Sequence, residues 1–202
     1  SAERRPRRTV RFVLFSGEEQ GLLGSKAYAQ AHRDELDRIT AVVVHDMGIG
    51  SIKGYSLGGR RDIETGLVQA MEPVAGRGAN AHSFEAFFGS DHFDFLLEGV
   101  PTLIAIQDTT EYVPVYHSSA DTFDKVSLYD LRRQTGTAAV TIYNLADRAE
   151  RDAIPIKVEL DLGEENPSPP EKVDHAALVD LPDAQRAAAF ALSQWCGGKV
   201  SS

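Results

Sequence analysis

Residues 15–25 have the sequence FSGEEQGLLGS, and they join two segments of different pattern. Residues 9–15 form an apolar, β-branched run that predicts a buried strand, and residues 26–36 predict a helix. The adjacent carboxylates Glu18 and Glu19 therefore fall in a turn that follows a strand. Ligands and catalytic groups of open α/β sheets gather beyond the carboxyl ends of the strands. We therefore expect a functional site at this turn, to which the rest of the chain brings further ligands.

Composition limits the class of protein before any motif is considered. The chain has 202 residues, of which 42% are hydrophobic and 25% charged, as in a soluble globular domain with a real core. The net charge of −9 and the single short basic cluster at residues 4–8 argue against nucleic-acid binding. No apolar run approaches the roughly 20 residues of a membrane helix. The single cysteine, Cys196, excludes an internal disulfide.

Strand-like and helix-like segments alternate along the first three quarters of the chain. This order predicts a three-layer α/β/α sandwich with a mostly parallel mixed sheet. Ser127 and Asp130 resemble a capping box, and Ser90 is a candidate helix cap. Further strands are predicted at residues 39–47, 52–60, 83–88 and 100–106, and further helices at residues 62–74, 91–98 and 127–148.

The pattern changes after Asp152, so we expect residues 153–202 to be a C-terminal extension. Residues 154–162 alternate apolar and polar side chains, which predicts a strand, and residues 164–172 are a proline-rich arm. Residues 182–195 predict an amphipathic, alanine-rich helix. The extension either packs on the preceding domain or joins two copies of the chain as a homodimer.

Four side chains at predicted strand ends and in loops carry metal-binding or acid–base chemistry: Glu18, Glu19, Asp46 and His117. Carboxylate oxygen and imidazole nitrogen are the usual ligands of a catalytic zinc, and a carboxylate that is not a ligand can accept a proton from water. Neighbouring residues point in different directions, so one glutamate can bind metal while the other faces the water. A glutamate pair alone is weak evidence, because most such pairs lie on solvated surfaces.

Two nearby groups have simpler explanations. Alternation along the predicted strand directs His45 to the face opposite Asp46, which favours a core histidine over a ligand. Asp91 at a predicted helix start is explained by capping, with a place in the substrate pocket as the alternative.

Four segments in order resemble the motifs of metallopeptidase family 28, the co-catalytic di-zinc aminopeptidases. They are FSGEEQGLLGSKAYA from residue 15, HDMGIG from residue 45, SDHFDFLLEGVPTL from residue 90 and YHSSADTFDKV from residue 116. The resemblance covers residues 8–148. It implies that residues 1–152 are part of a zinc-peptidase catalytic domain that hydrolyses peptides or dipeptides, and that the protein is secreted or periplasmic.

The resemblance also implies a role for each of the four side chains. Glu18 corresponds to the general base that activates a metal-bound water. Glu19 and His117 correspond to ligands of one zinc, and Asp46 to a ligand of a second zinc. Two zinc ions at such a site would polarise the scissile carbonyl and bind the attacking oxygen.

One departure from the family pattern is large. The family's other ligands lie in a His–x–Asp segment and an Asp-Asn segment before the glutamate pair, whereas the 17 residues before Glu18 contain neither histidine nor aspartate. We therefore expect a catalytic domain truncated at its N-terminus, whose zinc sites are empty or weak and whose hydrolytic activity is low. The alternatives are a non-catalytic interaction module with a peptidase fold and a single-zinc acyltransferase that resembles glutaminyl cyclase.

Overall fold

A computed structural model describes residues 5–86 and 89–150. The predicted strand at 154–162, the proline-rich arm and the helix at 182–195 lie outside the described residues. The helices are α1 (Leu23–Ala31), α2 (Glu64–Ala75), α3 (Phe93–Leu97) and α4 (Leu128–Asp147). The strands are β1 (Val42–Val44), β2 (Ile52–Ser56) and β3 (Thr102–Gln107), and single 3-10 turns cover Leu36–Arg38, Arg61–Ile63 and Phe123–Lys125.

The three strands form one mixed sheet in the order β1-β3-β2. β3 pairs in parallel with β1, where Val43 lies opposite Leu103, and antiparallel with β2, where Tyr55 lies opposite Ala105. β3 is the central strand, which explains why its sequence TLIAIQ is almost continuously buried. The sheet is mixed, as predicted.

Helices cover both faces of the sheet, which gives the predicted α/β/α layers. Side chains of α2 and α4 pack with Val43, Leu103 and Ala105 in the larger core cluster. Side chains of α1 and α3 pack with Val42 in a second cluster. Because adjacent strand residues point to opposite faces, Val42 and Val43 assign these two helix pairs to opposite sides of the sheet. None of the helices among the described residues is long and apolar enough to cross a membrane.

The predicted strand at residues 9–15 is wrong for this structure. These residues have no strand assignment, and Phe12 and Leu14 are 86% and 100% exposed. Among residues 5–86 and 89–150 no strand pairs with them, and an extended segment needs a partner for its backbone groups before it becomes a strand. Within the run only Val10 and Phe15 are half-buried, and Phe15 contacts the rings of Tyr28 and Phe95.

Two of the predicted helix starts can be compared with the structure. The Ser127 side chain accepts a hydrogen bond from the Asp130 backbone amide at 3.3 Å, so this cap is confirmed. The prediction for Ser90 is wrong: α3 begins after His92 without a side-chain cap, and the buried Ser90 hydroxyl makes no hydrogen bond to any described residue. A five-residue helix that starts two residues later leaves Ser90 in the preceding loop.

Candidate active site

Glu18 and Glu19 lie in a hydrogen-bonded turn that leads directly into α1. The backbone amides of Gly21 and Leu22 both donate to the Glu18 carbonyl, at 3.0 and 2.9 Å. The Leu23 amide donates to the Gly17 carbonyl at 3.0 Å. The turn therefore has a defined conformation, and α1 starts at Leu23, three residues earlier than the pattern predicts.

The second glycine of the GLLGS segment, Gly24, packs against the backbone that precedes the glutamate pair. A Cβ atom at Gly24 would lie 2.5 Å from the Ser16 carbonyl oxygen and 2.8 Å from the Ser16 nitrogen. Any larger residue would push the first turn of α1 away from the segment before the glutamates. The glycine thus fixes how closely α1 approaches the turn that carries Glu18 and Glu19.

His117 lies against the glutamate turn although 97 residues separate it from Glu19 in the sequence. Its Nε2 atom is 2.8 Å from Oε1 of Glu19, and the two side chains are 53% and 60% exposed. The His117 backbone has a φ of 50°, in the left-handed region that a non-glycine residue rarely adopts. The Tyr116 ring stacks on the imidazole with centroids 3.9 Å apart. The loop thus presents the imidazole, with strained backbone, toward Glu19 and solvent.

Asp46 lies two residues after β1 in an exposed position, and a set of buried amides holds the loop that follows it. Gln107, at the end of β3, accepts from the Met47 amide at 3.1 Å and donates to the Gly48 carbonyl at 2.6 Å. Gln134 of α4 also donates to that carbonyl at 3.3 Å. The sequence analysis did not identify either glutamine, although a polar residue that ends a buried strand is a usable signal.

The electrostatics of Glu18 link it to the other predicted side chains. Partial burial raises the pKa of Glu18, and the negative charges of Asp46, Glu19 and Asp91 raise it further, while His117 lowers it. Carboxylates influence one another in this way only when they share a small region. A carboxyl group with a raised pKa is better suited to accept a proton near neutral pH than an ordinary one. The structure therefore joins Glu19 and His117 in direct contact, and the charges of Asp46, Glu19 and His117 all act on Glu18.

Asp91 is a further acidic group at this edge, and its interpretation as a helix cap is wrong. It precedes the start of α3, and its Oδ1 atom is buried without a hydrogen bond to the described residues. Burial raises the pKa of Asp91, the nearby Ser25 hydroxyl lowers it, and the charge of Asp46 raises it. Ser25, buried in the first turn of α1, donates to Asp94 at 3.0 Å. It therefore links the start of α1 to the segment that carries Asp91.

His45 lies away from the other candidates. Its Nε2 atom is 3.1 Å from the hydroxyl of Tyr55, which belongs to the larger core cluster, and burial lowers the pKa of its imidazole. It is thus a histidine that packs against the core, as strand alternation suggested.

The side chains at this edge are of the types that bind zinc, but too few of them are close together to form a zinc site. Glu19 and His117 supply a carboxylate oxygen and an imidazole nitrogen in contact with each other, and both are accessible. Within residues 5–86 and 89–150, however, no group of three or more His, Cys, Asp or Glu side chains is arranged to hold a metal ion. The described residues therefore include one pair of accessible donor side chains in contact, but no complete metal site.

Comparisons with known proteins find related chains. Carboxypeptidase Q of Xenopus laevis is 29% identical over 150 residues, which cover 72% of this chain and 31% of that protein. A crystal structure of a peptidase M28 precursor from Shewanella amazonensis aligns with a TM-score of 0.69 and 29% identity, over 77% of this chain and 35% of that one. An aminopeptidase from Aneurinibacillus sp. strain AM-1 aligns with a TM-score of 0.50 and 27% identity, over 73% and 35% of the two chains.

All three alignments cover a similar share of the related proteins. The chain spans about a third of the length of the relatives that it matches. The sequence model of peptidase family M28 matches residues 1–142, which include Glu18, Glu19, Asp46 and His117. Since this match covers well over half of the 202 residues, the chain belongs to peptidase family M28.

Proposed function

We propose that this chain is the carboxyl-terminal part of a zinc-dependent exopeptidase that acts as an aminopeptidase, a dipeptidase or a carboxypeptidase. The observation that carries the proposal is the 2.8 Å contact between His117 and Glu19. A carboxylate and an imidazole from distant parts of the chain meet there on an exposed edge, beside a carboxyl group whose pKa is raised. Membership of a peptidase family supports the same reaction.

Each side chain has a separate role in this proposal. Glu19 and His117 hold one zinc ion, and Asp46 contributes to a second. When bound, the metal supplies Lewis-acid polarisation of the peptide carbonyl and lowers the pKa of water. Glu18 accepts the proton from the attacking water and passes it to the leaving amine, a task for which its raised pKa is suited. The substrate is a peptide or dipeptide, and we expect the protein to act outside the cytoplasm.

The zinc site becomes complete only with ligands from outside the described residues. Two donors in contact are fewer than the three that a catalytic zinc normally takes from protein. The relatives extend well beyond the matched third, so a longer polypeptide can supply the missing donors. We therefore expect the 202-residue chain alone to bind zinc weakly and to hydrolyse peptides slowly or not at all.

Substitution of Glu18 in the complete gene product tests the catalytic role. Glu18→Gln retains a similar shape but cannot accept a proton, so kcat should fall by about 10²–10⁴-fold or more while zinc content is unchanged. Glu72→Gln, on an exposed position of α2, is the matched control and should leave kcat unaltered. Near-normal turnover of Glu18→Gln would remove Glu18 from the role of base.

Metal titration tests the ligands independently of turnover. In the complete protein, His117→Ala and Glu19→Gln should each lower zinc affinity by at least 10-fold, whereas Glu18→Gln should not. The isolated chain should show no tight zinc binding by calorimetry. Tight binding together with peptide hydrolysis by the 202 residues alone would contradict the proposed incompleteness.

A further inference from the structure

Two buried glutamines from different elements meet at the backbone that follows Asp46. Gln107 ends β3 and Gln134 lies on α4, and the two residues are only 6% and 8% exposed. Gln107 bonds both the Met47 amide and the Gly48 carbonyl, and Gln134 donates to the same carbonyl. A buried amide that loses its partners costs free energy, so this pair resists any movement of the peptide between Met47 and Gly48.

The far half of the same loop has its own attachment to β3. The Asp108 amide donates to the Ser51 carbonyl at 2.9 Å. A Cβ atom at Gly50 would lie 1.8 Å from the Asp108 carbonyl oxygen, so the two backbones are in direct contact there. Since backbone contacts already fix residues 50–51, the two glutamines act on the first half of the loop, directly after Asp46.

Gly48 carries this constraint to a third segment, because the Tyr112 ring lies against its backbone. A Cβ atom at Gly48 would lie 2.9 Å from Cδ2 of Tyr112 and 3.1 Å from its Cβ and Cγ atoms. Gly48 also has a φ of 79°, which favours glycine. With no side chain in between, a shift of the Gly48 backbone moves the surface on which the Tyr112 ring rests.

Tyr112 is connected to His117 through one short run of contacts. The Tyr116 amide donates to the Tyr112 carbonyl at 3.0 Å, and the centroids of the two tyrosine rings are 5.1 Å apart. The Tyr116 ring in turn stacks on the His117 imidazole, which contacts Glu19. Contacts therefore lead without a break from the two buried amides to the histidine of the candidate active site.

We propose that Gln107 and Gln134 are positioning residues that keep the segment with Asp46 and the segment with His117 in one relative arrangement, through the contact of Gly48 with Tyr112. Neither glutamine needs to touch a reacting group, because both act through the loop backbone. The effect on turnover rests on the proposed function, whereas the arrangement of the two segments does not.

The ring signals of His117 report this arrangement in the nuclear magnetic resonance spectrum of the full 202-residue chain. Histidine is isotopically labelled, and the signals of His117 are identified by their loss in His117→Gln. Gln107→Met keeps a side chain of similar length without its hydrogen bonds, and Gln134→Met is the milder variant, which loses only the bond to Gly48. The His117 signals should move in both variants, because the imidazole shifts relative to the Tyr116 ring.

Asp62→Asn is the control for a general loss of stability. It breaks the buried pair with Arg60, which lies outside this loop, so the His117 signals should keep their positions. Signals that move in neither glutamine variant would overturn the proposal. Signals that move as far in Asp62→Asn as in Gln107→Met would also overturn it, because the change would then reflect loosening of the whole domain.

Turnover of the complete gene product tests the consequence for catalysis. Gln107→Met should lower kcat by about 10-fold or more and change KM by less than about threefold, because misplaced groups slow the reaction of a substrate that still binds. Asp62→Asn should leave kcat within about twofold. An unchanged kcat in Gln107→Met, in an enzyme that Glu18→Gln inactivates, would refute the catalytic consequence. If Glu18→Gln stayed active, the proposed function would fail, and the His117 signals would still decide whether the glutamines position that segment.

Discussion

Replacement of Gly24 by alanine provides a direct test of how the candidate active site is built. The added Cβ would lie 2.5 Å from the Ser16 carbonyl oxygen, about 0.9 Å inside ordinary contact, so the turn and α1 must separate. Forced overpacking of this kind costs about 1–3 kcal/mol. Alanine in place of glycine in a helix gains about 1 kcal/mol, which partly offsets that cost. We therefore expect Gly24→Ala to be destabilising or, at best, neutral.

Gly136→Ala is the matched control for this prediction. Gly136 also lies inside a helix, α4, but a Cβ there meets nothing within 4 Å in the described structure. This variant should gain about 1 kcal/mol, so the two variants should differ by about 1–3 kcal/mol. At a urea dependence of about 2 kcal/mol per M, the two unfolding midpoints would differ by roughly 0.5–1.5 M, which circular dichroism resolves easily. If Gly24→Ala raised the midpoint as much as Gly136→Ala, the argument for close approach at Ser16 would be wrong.

Three further predictions concern charged groups and can be measured by urea unfolding of the same chain. Asp62→Asn should destabilise the chain by about 2 kcal/mol, because the Arg60 guanidinium is buried and donates to the Asp62 carboxylate at 2.8 and 2.6 Å. Asp124→Asn, at an exposed ion pair, is the control and should leave the unfolding midpoint nearly unchanged. The Arg60 hydrogen bond lowers the pKa of Asp62 in the folded state. The ionised Asp62 side chain therefore stabilises the fold above the pKa that it has in the unfolded chain, and this stabilisation is lost as the pH falls through its folded-state pKa; if Asp62→Asn lost stability in acid as steeply as the unsubstituted chain, this reasoning would be contradicted. Burial raises the pKa of Asp91, so the cost of holding its ionised carboxylate in the fold appears as the pH rises through its folded-state pKa. Asp91→Asn should therefore stabilise the chain at pH 7 but not at pH 3. A loss of stability at pH 7 would show that the fold needs the carboxylate. His117→Ala should change the free energy of unfolding by less than about 1 kcal/mol, because its contact with Glu19 is exposed, and a larger loss would mean that His117 supports the fold rather than a ligand.

Short-range patterns in the sequence placed the candidate site residues, and the resemblance to metallopeptidase family 28 gave each a predicted role. Glu18 and Glu19 follow an apolar run and precede a helix, and His117 lies in a long polar connection. Their convergence is visible only in the structure, where one contact of 2.8 Å joins residues 19 and 117. Their catalytic roles stay predictions until substitution and metal binding are measured.

Residues 9–15 show where local pattern is insufficient. Their composition is that of a buried strand, but Phe12 and Leu14 are exposed because strand formation depends on a partner that no local pattern supplies. The roles of Gln107, Gln134 and Ser25 were missed for a related reason. Each of these side chains acts through a hydrogen bond to a residue more than 50 positions away, so its neighbours in the sequence do not reveal its partner, even where the polar end of a buried strand marks Gln107 as unusual.

The position of β3 has a consequence for motion at the site. β3 is bonded on both sides, whereas among the described strands β1 has β3 as its sole neighbour. Hydrogen exchange should therefore be slowest in β3 and considerably faster in β1, because a strand with one neighbour opens without disrupting the rest of the sheet. Asp46 follows the strand that opens readily, while Gln107 extends from the strand that does not. The loop after β1 is thus anchored at Gly48 by Gln107 and Gln134, whereas the strand before it opens readily, so Asp46 lies at the boundary between a slow and a fast region of the domain.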